Sequence, residues 1–416
     1  MGKHLLGILL CVAAMCVPTA KAAVERPDSI TAATAAAPHD EAAIPSVRLM
    51  TTGISESVAA EPDTVKKKQN IIQRLLTYFK NSNKPKYKKF DFSLLGGPYY
   101  NSDTKLGIAL MLSGFYRRDT TDRVTSPSNV SLYGTVSTSG FYMTGIKGHH
   151  IFPKDTRRID YDVYFWSNPR YFWGIGYDNG LNMDNRSKYD EIYVHCWANY
   201  ITRVYKGLFI GPGVEYKYAH AGHMERPYLW EGQKFHTSTI GVGFKIQYDT
   251  RDNFTATEKG ILASVEQKFC PKFIGNKYAF SSTDLRFNYY HPLWKGSVIA
   301  TQARAMFSYG NVPWAMLPTF GGSYNMRGYY EGRFRDKCEA DITVELRQHV
   351  WRRNGIVIWG GVGSVFPKIS SFNVRHLLPS YGIGYRWELK HRSNVRVDLG
   401  FGRGESAFVF SINEAF

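Results

Sequence analysis

From Phe90 to the last residue, apolar and polar side chains alternate with a period of two, which marks strands with two unlike faces. In His236–Arg251, Ile240, Val242, Phe244, Ile246 and Tyr248 share one face, and Gly241, Gly243, Lys245, Gln247, Asp249 and Arg251 share the other. The pattern recurs where Leu285, Phe287 and Tyr289 oppose Asp284, Arg286 and Asn288, and where Ile342, Val344 and Leu346 oppose Thr343, Glu345 and Arg347. Tyr381–Leu389 and Asn394–Phe401 repeat it, with Arg386, Glu388, Arg396 and Asp398 on their polar faces. A soluble sandwich alternates too, but these polar faces carry both signs of charge and the apolar faces end in Tyr, Trp or Phe. A charged interior with aromatic girdles outside is the arrangement of outer-membrane strands. Backbone groups in lipid must be satisfied within the sheet, so the pattern also predicts closure. The expectation is an all-β chain: a transmembrane antiparallel β-barrel of about 16 strands over residues 90–416, an even number as such barrels have. Short connections such as Arg203–Lys206 are expected to face the periplasm, and long ones such as Ala221–Phe235 and Asn311–Lys337 the outside.

Before Phe90 the pattern differs. Lys3 and His4 precede an apolar run, Leu5 to Val17, and Ala20-Lys21-Ala22 supplies a small-x-small pattern before Ala23, which predicts a signal peptide over 1–22. That run is too short for a membrane anchor, which needs about 20 apolar residues. Residues 23–64 are rich in Ala, Thr, Ser and Pro and predict a disordered linker. Lys66-Lys67-Lys68 then leads into Ile71, Ile72, Leu75, Leu76 and Phe79, the spacing of a short basic amphipathic helix over 65–85. A place on the membrane surface, a place in the barrel mouth and no role at all stay open for it.

Composition narrows the function. The 416 residues carry a formal net charge of +17, but Lys and Arg are spread along the strands, so nucleic acid is not an expected partner. Cys11 and Cys16 fall in the signal peptide; Cys196, Cys270 and Cys338 form no CxxC and indicate neither a disulfide framework nor a zinc site. No G-x-S-x-G occurs, and His149-His150 reads as a pair of loop histidines. No metal, cofactor or enzymatic activity is expected. Phe408, Phe410 and Ile412 alternate on one face and the sequence closes on Phe416, the aromatic ending by which outer-membrane strands are recognised for assembly. Glu414 interrupts that stripe and is expected near the membrane interface, where a carboxylate costs little.

Three segments resemble the BamA/TamA family of bacterial surface antigens. Tyr248-Asp249-Thr250-Arg251-Asp252-Asn253, followed by Lys259-Gly260, is similar to that family's Y-D-T-R-D-N…G turn. Gly321-Gly322-Ser323-Tyr324-Asn325-Met326-Arg327-Gly328-Tyr329 resembles its long sixth loop with the Arg-Gly-Phe/Tyr motif, and Phe172-Trp173-Gly174-Ile175-Gly176 matches a further segment. The resemblance implies that Arg327, with Gly328 and Tyr329, folds inward and pairs with an acid on the wall. The family's thirteenth-strand acid is missing here, since Trp359-Gly360-Gly361-Val362-Gly363 has glycine in its place. Glu345 on the twelfth strand is then the expected partner, with Asp398 on the fifteenth second. The family's periplasmic POTRA domains are not recognisable between the signal peptide and Phe90.

The resemblance implies a protein that inserts, assembles or translocates protein or lipid at the bacterial outer membrane. Its expected partners are outer-membrane lipids, a client protein or lipid, and periplasmic or outer-membrane assembly factors. The competing readings are a passive channel for small solutes and, well behind, a membrane-embedded hydrolase.

Overall fold

The computed structural model describes residues 90–101, 104–116, 128–390 and 392–416. The expected signal peptide (1–22), linker (23–64) and basic helix (65–85) lie outside the described residues. β1 (Phe90–Asn101), β2 (Lys105–Tyr116), β3 (Ser128–Ser137) and β4 (Tyr142–Ile151) are followed by the three longest strands, β5 (Arg157–Phe172), β6 (Ser187–Tyr205) and β7 (Leu208–Gly222). β8 (His236–Asp249), β9 (Gly260–Cys270), β10 (Phe280–Pro292) and β11 (Ser297–Gly310) continue the sheet. β12 (Cys338–Trp351), β13 (Asn354–Phe366), β14 (Leu378–Lys390), β15 (Ser393–Gly402) and β16 (Glu405–Ile412) complete it. One short helix, α1 (Tyr177–Leu181), sits between β5 and β6.

The period of two sorts side chains as expected. On β12, Thr343, Glu345 and Arg347 are buried on the inner face while Val344 is exposed on the outer one. Leu110, Val136, Val214, Ile240, Ile358 and Ile383 are likewise exposed, and such an apolar outer surface suits lipid. Exposed aromatics flank it: Tyr205, Trp294 and Trp351 at the end of the short turns, Phe273 and Tyr309 at the end of the long connections. Among the described residues no helix is long and apolar enough to cross a membrane. Among the described residues, connections at one end are tight, as at Lys206-Gly207 and Arg352-Arg353, apart from the β8–β9 segment 250–259. At the other end lie the long β5–β6, β7–β8 and β11–β12 connections.

The strand order returns on itself, with β1 lying beside both β2 and β16. The expectation of a transmembrane β-barrel closed by a continuous ladder is nevertheless corrected by the pairing. β1 pairs with β2 along its whole length, from Phe90↔Tyr116 to Asn101↔Lys105. Among the described residues it meets β16 at Asn101↔Val409. Extending that register puts Pro98 opposite Ile412, where β16 ends, so Phe90–Gly97 face no partner strand. Pro98 has no N–H to donate, which discourages even the pairing that remains. The Tyr100 and Phe408 rings also meet across the seam, 5.9 Å between centroids. The antiparallel sheet thus runs round from β1 to β16, and among the described residues its seam is paired near the Asn101 end of β1 and not along Phe90–Gly97.

This geometry predicts a contrast in hydrogen exchange. The alternate amides of Phe90–Gly97 that point away from β2 should exchange orders of magnitude faster than amides of the β5–β6 ladder, because only the latter have acceptors on both sides. Equal protection in detergent would show a zipped seam.

Candidate functional site

The β11–β12 connection, residues 311–337, folds inward. Phe320, Met326, Tyr329 and Phe334 pack with Tyr177 of α1, Val365 of β13 and Leu378 of β14 in one buried cluster. The turn at its tip lies hard against β15. A Cβ on Gly328, which has φ 114°, would come within 2.6 Å of the Phe401 backbone. A Cβ on Gly400 would come within 2.8 Å of the Arg327 backbone. Two glycines facing each other let the chains approach this closely.

That approach delivers Arg327 to the inner wall, where it is 1% exposed. Its Nη1 donates to Asp398 Oδ2 at 2.7 Å and its Nη2 to Glu345 Oε1. The guanidinium lies 3.8 Å from the Trp359 ring centroid, and the Arg327 carbonyl accepts from Ser380 Oγ at 2.5 Å. The structure therefore brings both candidate acids to Arg327. Position 361 could not host an acid here without movement, because a Cβ on it would lie 2.6 Å from the Ile342 carbonyl oxygen.

The same carboxylates serve other cations. Arg347 Nε donates to Glu345 at 2.8 Å, and Arg386 bridges Asp398 at 2.5 Å and Glu414 at 2.8 Å. Arg396 lies 3.5 Å from Asp398. Arg327, Arg347, Arg386 and Arg396 thus meet Glu345, Asp398 and Glu414, four guanidiniums to three carboxylates. Beyond the tip, the Tyr329 hydroxyl donates to the Pro379 carbonyl and accepts from the Arg403 N–H, both at 2.7 Å, and burial pushes its phenol up to about 12. Tyr330 N and Arg333 hold Glu405 at the start of β16, and Arg333 Nε donates to the Gly180 carbonyl at 2.8 Å.

The turn motif forms a second inward device. Tyr248 stays on the outer face, half-exposed. Asp249 is buried between Arg251, at 3.0 Å, and Arg158, at 3.1 Å. Asp252 Oδ1 accepts from the N–H groups of Glu258 and Lys259, and its Oδ2 pairs with Arg392 at 2.6 Å. Glu258 pairs with the same guanidinium at 2.8 Å, and Thr255 Oγ1 donates to the Arg392 carbonyl. Gly260, at φ 115°, closes the turn where a Cβ would meet the Thr250 carbonyl at 2.4 Å. Segment 250–259 is therefore a strap that spans from β8–β9 to the β14–β15 turn. Burial pushes the Asp252 carboxyl up, but Arg392 and the two N–H donors prevail and hold it below its usual range.

At the C-terminal strand, Phe410 is exposed and Val409 buried, so the stripe of Phe408 and Phe410 faces outward. Phe416 lies past the end of β16, with its ring 6.4 Å from that of inner-face Tyr290 and 5.1 Å from the Arg347 guanidinium. Glu414 is buried in the interior, not at the interface as expected, because the chain turns inward at Asn413, φ 68°. There burial pushes its carboxyl up, yet Arg386 and Arg347 hold it below the usual range. His149 and His150 lie on β4 and not in a loop, bonded to Asp160 and Tyr116 respectively. Among the described residues no cluster is suited to a metal. Sequence reasoning missed Trp359, Glu405 and the anchoring role of Arg392. Alternation does place Trp359 on the inner face, opposite Ile358, but only the fold shows what it stacks on.

A family model described as the Omp85 superfamily domain matches residues 157–416. The chain belongs to the Omp85 superfamily. This makes it an outer-membrane protein of a superfamily whose members act as non-catalytic membrane insertases, not enzymes. No curated protein matches the chain. Among solved structures, the Omp85 chain is similar to BamA from Haemophilus ducreyi lacking POTRA domains 1-3, at 13% identity and TM-score 0.53, covering 77% of this chain and 70% of that one. It is similar to CdiB from Acinetobacter baumannii, at 13% identity and TM-score 0.50, over 79% of this chain and 60% of that one. It is also similar to CdiB from Escherichia coli, at 11% identity and TM-score 0.51, over 79% and 63%. These likenesses concern the fold, and the chain spans under two thirds of either CdiB.

Two predictions follow from the charge networks. Glu345→Ala leaves Arg327 and Arg347 both short of a carboxylate, whereas Arg327→Ala leaves three guanidiniums facing three carboxylates. Glu345→Ala should therefore destabilise more, on the order of 3–5 kcal/mol, and the double variant no more than Glu345→Ala alone. Denaturant titration of the refolded chain measures this, and additive losses would mean the two do not act as one unit. The depressed Asp252 carboxyl stabilises the strap above its unfolded pKa of about 3.9, and that contribution is lost as pH falls through the lower folded value. Proteolysis within 250–259 should rise with acidification below about pH 4, and Asp252→Asn should be cut at neutral pH already. A cutting rate independent of pH would remove the strap's dependence on Asp252.

Proposed function

We propose that this Omp85 protein inserts, assembles or translocates client protein or lipid at the outer membrane, working at the open seam as a BamA/TamA-type assembly protein. The observation that carries this reading is the edge of β1: Phe90–Gly97 present backbone donors and acceptors to which β16 offers no strand. An unpaired edge is a template for another strand, and in lipid each unsatisfied backbone group costs several kcal/mol. A client segment entering as a strand would satisfy those groups. Its partners on this reading are outer-membrane lipids, the client, and assembly factors that deliver it. Arg327, Gly328, Tyr329, Glu345 and Asp398 lock the long loop, while Tyr248, Asp249, Arg251, Asp252 and Gly260 shape the strap. Phe408, Phe410, Ile412 and Phe416 serve the chain's own assembly.

The passive-channel reading is less well supported. A channel needs a continuous wet path, whereas here the long loop packs inward from one end and the strap ties the β8–β9 connection to the β14–β15 turn at the other.

Depletion followed by a census of outer-membrane proteins and lipids tests the proposal, with loss of particular proteins or lipids expected. A disulfide installed between β1 and β16 should reproduce the depletion phenotype until it is reduced. In planar bilayers the purified chain should show no large steady conductance. A large open pore together with an unchanged census would favour the channel.

A further inference from the structure

A cavity of about 320 Å³ lies beneath the long loop, in the half of the sheet nearer the long connections, walled by β5–β12. That places it at the lower end of the range of about 300–1,000 Å³ that ligand pockets occupy. None of the four guanidiniums or three carboxylates of the Arg327 network lines it, although Ser323 and Tyr324 of its wall touch Arg396, and its reading does not depend on the function proposed above.

Three observations restrict what it could hold. Aromatic surface lines one side: the Trp166 and Tyr193 rings stack at 4.7 Å and 24°, with Tyr164 5.5 Å from Trp166. The charged wall largely neutralises itself. Glu191 pairs with Arg170 at 3.1 Å, and Glu215 pairs with Lys217 at 3.1 Å and Lys268 at 2.8 Å. Lys268 also reaches Glu266 at 3.1 Å. A simple anion or cation would have to compete with these pairs. The polar wall is also incomplete, because Glu339 Oε1 and Arg304 Nε have no hydrogen-bond partner among the described residues, and Arg304 Nη1 has only the Asp341 carboxylate, at 3.6 Å. Buried polar groups left in that state call for an occupant that supplies donors and acceptors together.

An uncharged molecule with many hydroxyls and one flat C–H face meets all three conditions. We propose that this cavity binds a saccharide, one pyranose lying against the Trp166–Tyr193 pair and its hydroxyls bonding to the mixed acid and amine wall. The sugar reaches it either free or as the glycan part of a lipid.

The test uses the full chain refolded in detergent, with folding of every variant checked by gel mobility. Tryptophan fluorescence and calorimetry follow titration with cellobiose, chitobiose, lipopolysaccharide and, as controls, phosphatidylglycerol and inorganic phosphate. The expected result is saturable binding of a disaccharide, weakened about tenfold by Trp166→Leu or Tyr193→Leu, the loss of one aromatic face. Glu339→Gln, which keeps the side-chain volume, serves if the aromatic variants do not fold, and it too should weaken binding. Binding of lipopolysaccharide but not of free sugars, weakened by the same variants, supports the proposal and assigns the source to lipid. Binding of no saccharide, equal binding in the folded variants, or displacement of the sugar by inorganic phosphate would overturn it.

Discussion

A guanidinium cannot shed its charge, so burying Arg327 to 1% exposure obliges the fold to bring carboxylates to it. Much of the interior answers to that demand. β12 supplies Glu345 and β15 supplies Asp398, while Trp359 of β13 covers the cation's face. Because those carboxylates also serve Arg347, Arg386 and Arg396, the charges form one unit that spans three strands, β12, β14 and β15, and the inward loop. The backbone must then bend to put the arginine there, which is why glycine stands at both Gly328 and Gly400.

Strand positions were legible because lipid outside and charge inside impose a period of two that no soluble requirement blurs. Inner-face Glu345, Arg347, Arg386, Arg396 and Asp398 are all readable from alternation. What alternation does not encode is distance across the interior. Asp398 is three strands from Glu345 in the ladder, yet curvature carries it to the other nitrogen of the same guanidinium. Arg392 was invisible for a like reason: it sits in a turn, where no period exists, and meets Asp252 from a distant part of the chain. Glu414 was misplaced because the strand pattern was run past Ile412, and one left-handed residue, Asn413, turns the chain inward. Closure was over-read in the same way. Periodicity specifies two-faced strands, but whether the first meets the last depends on register and relative length, and β16 is too short to cover β1.

Loop and strap approach from opposite ends and converge on one wall. The loop ends on β12, β14 and β15, and the strap ends on the β14–β15 turn, where Glu414 N also donates to the Thr255 carbonyl. The region of β12–β15 is therefore braced from both ends. β1 and β16, which flank the seam, have far less to hold them together.

The relative cost of opening at these two places decides where a client could pass. Opening the interior means withdrawing Arg327 from two buried carboxylates, and breaking a buried pair costs about 3–5 kcal/mol. The strap's ion pairs and the aromatic cluster around Phe320 and Phe334 would have to part as well. Widening the seam breaks the link at Asn101↔Val409 and the Tyr100–Phe408 contact. A backbone hydrogen bond contributes about 0.5–1.5 kcal/mol net and a ring pair a similar amount. Thermal fluctuation reaches the second cost far more often than the first. On the contacts among the described residues the seam is the less costly place to part, which fits the proposed movement of a strand or a lipid into the bilayer.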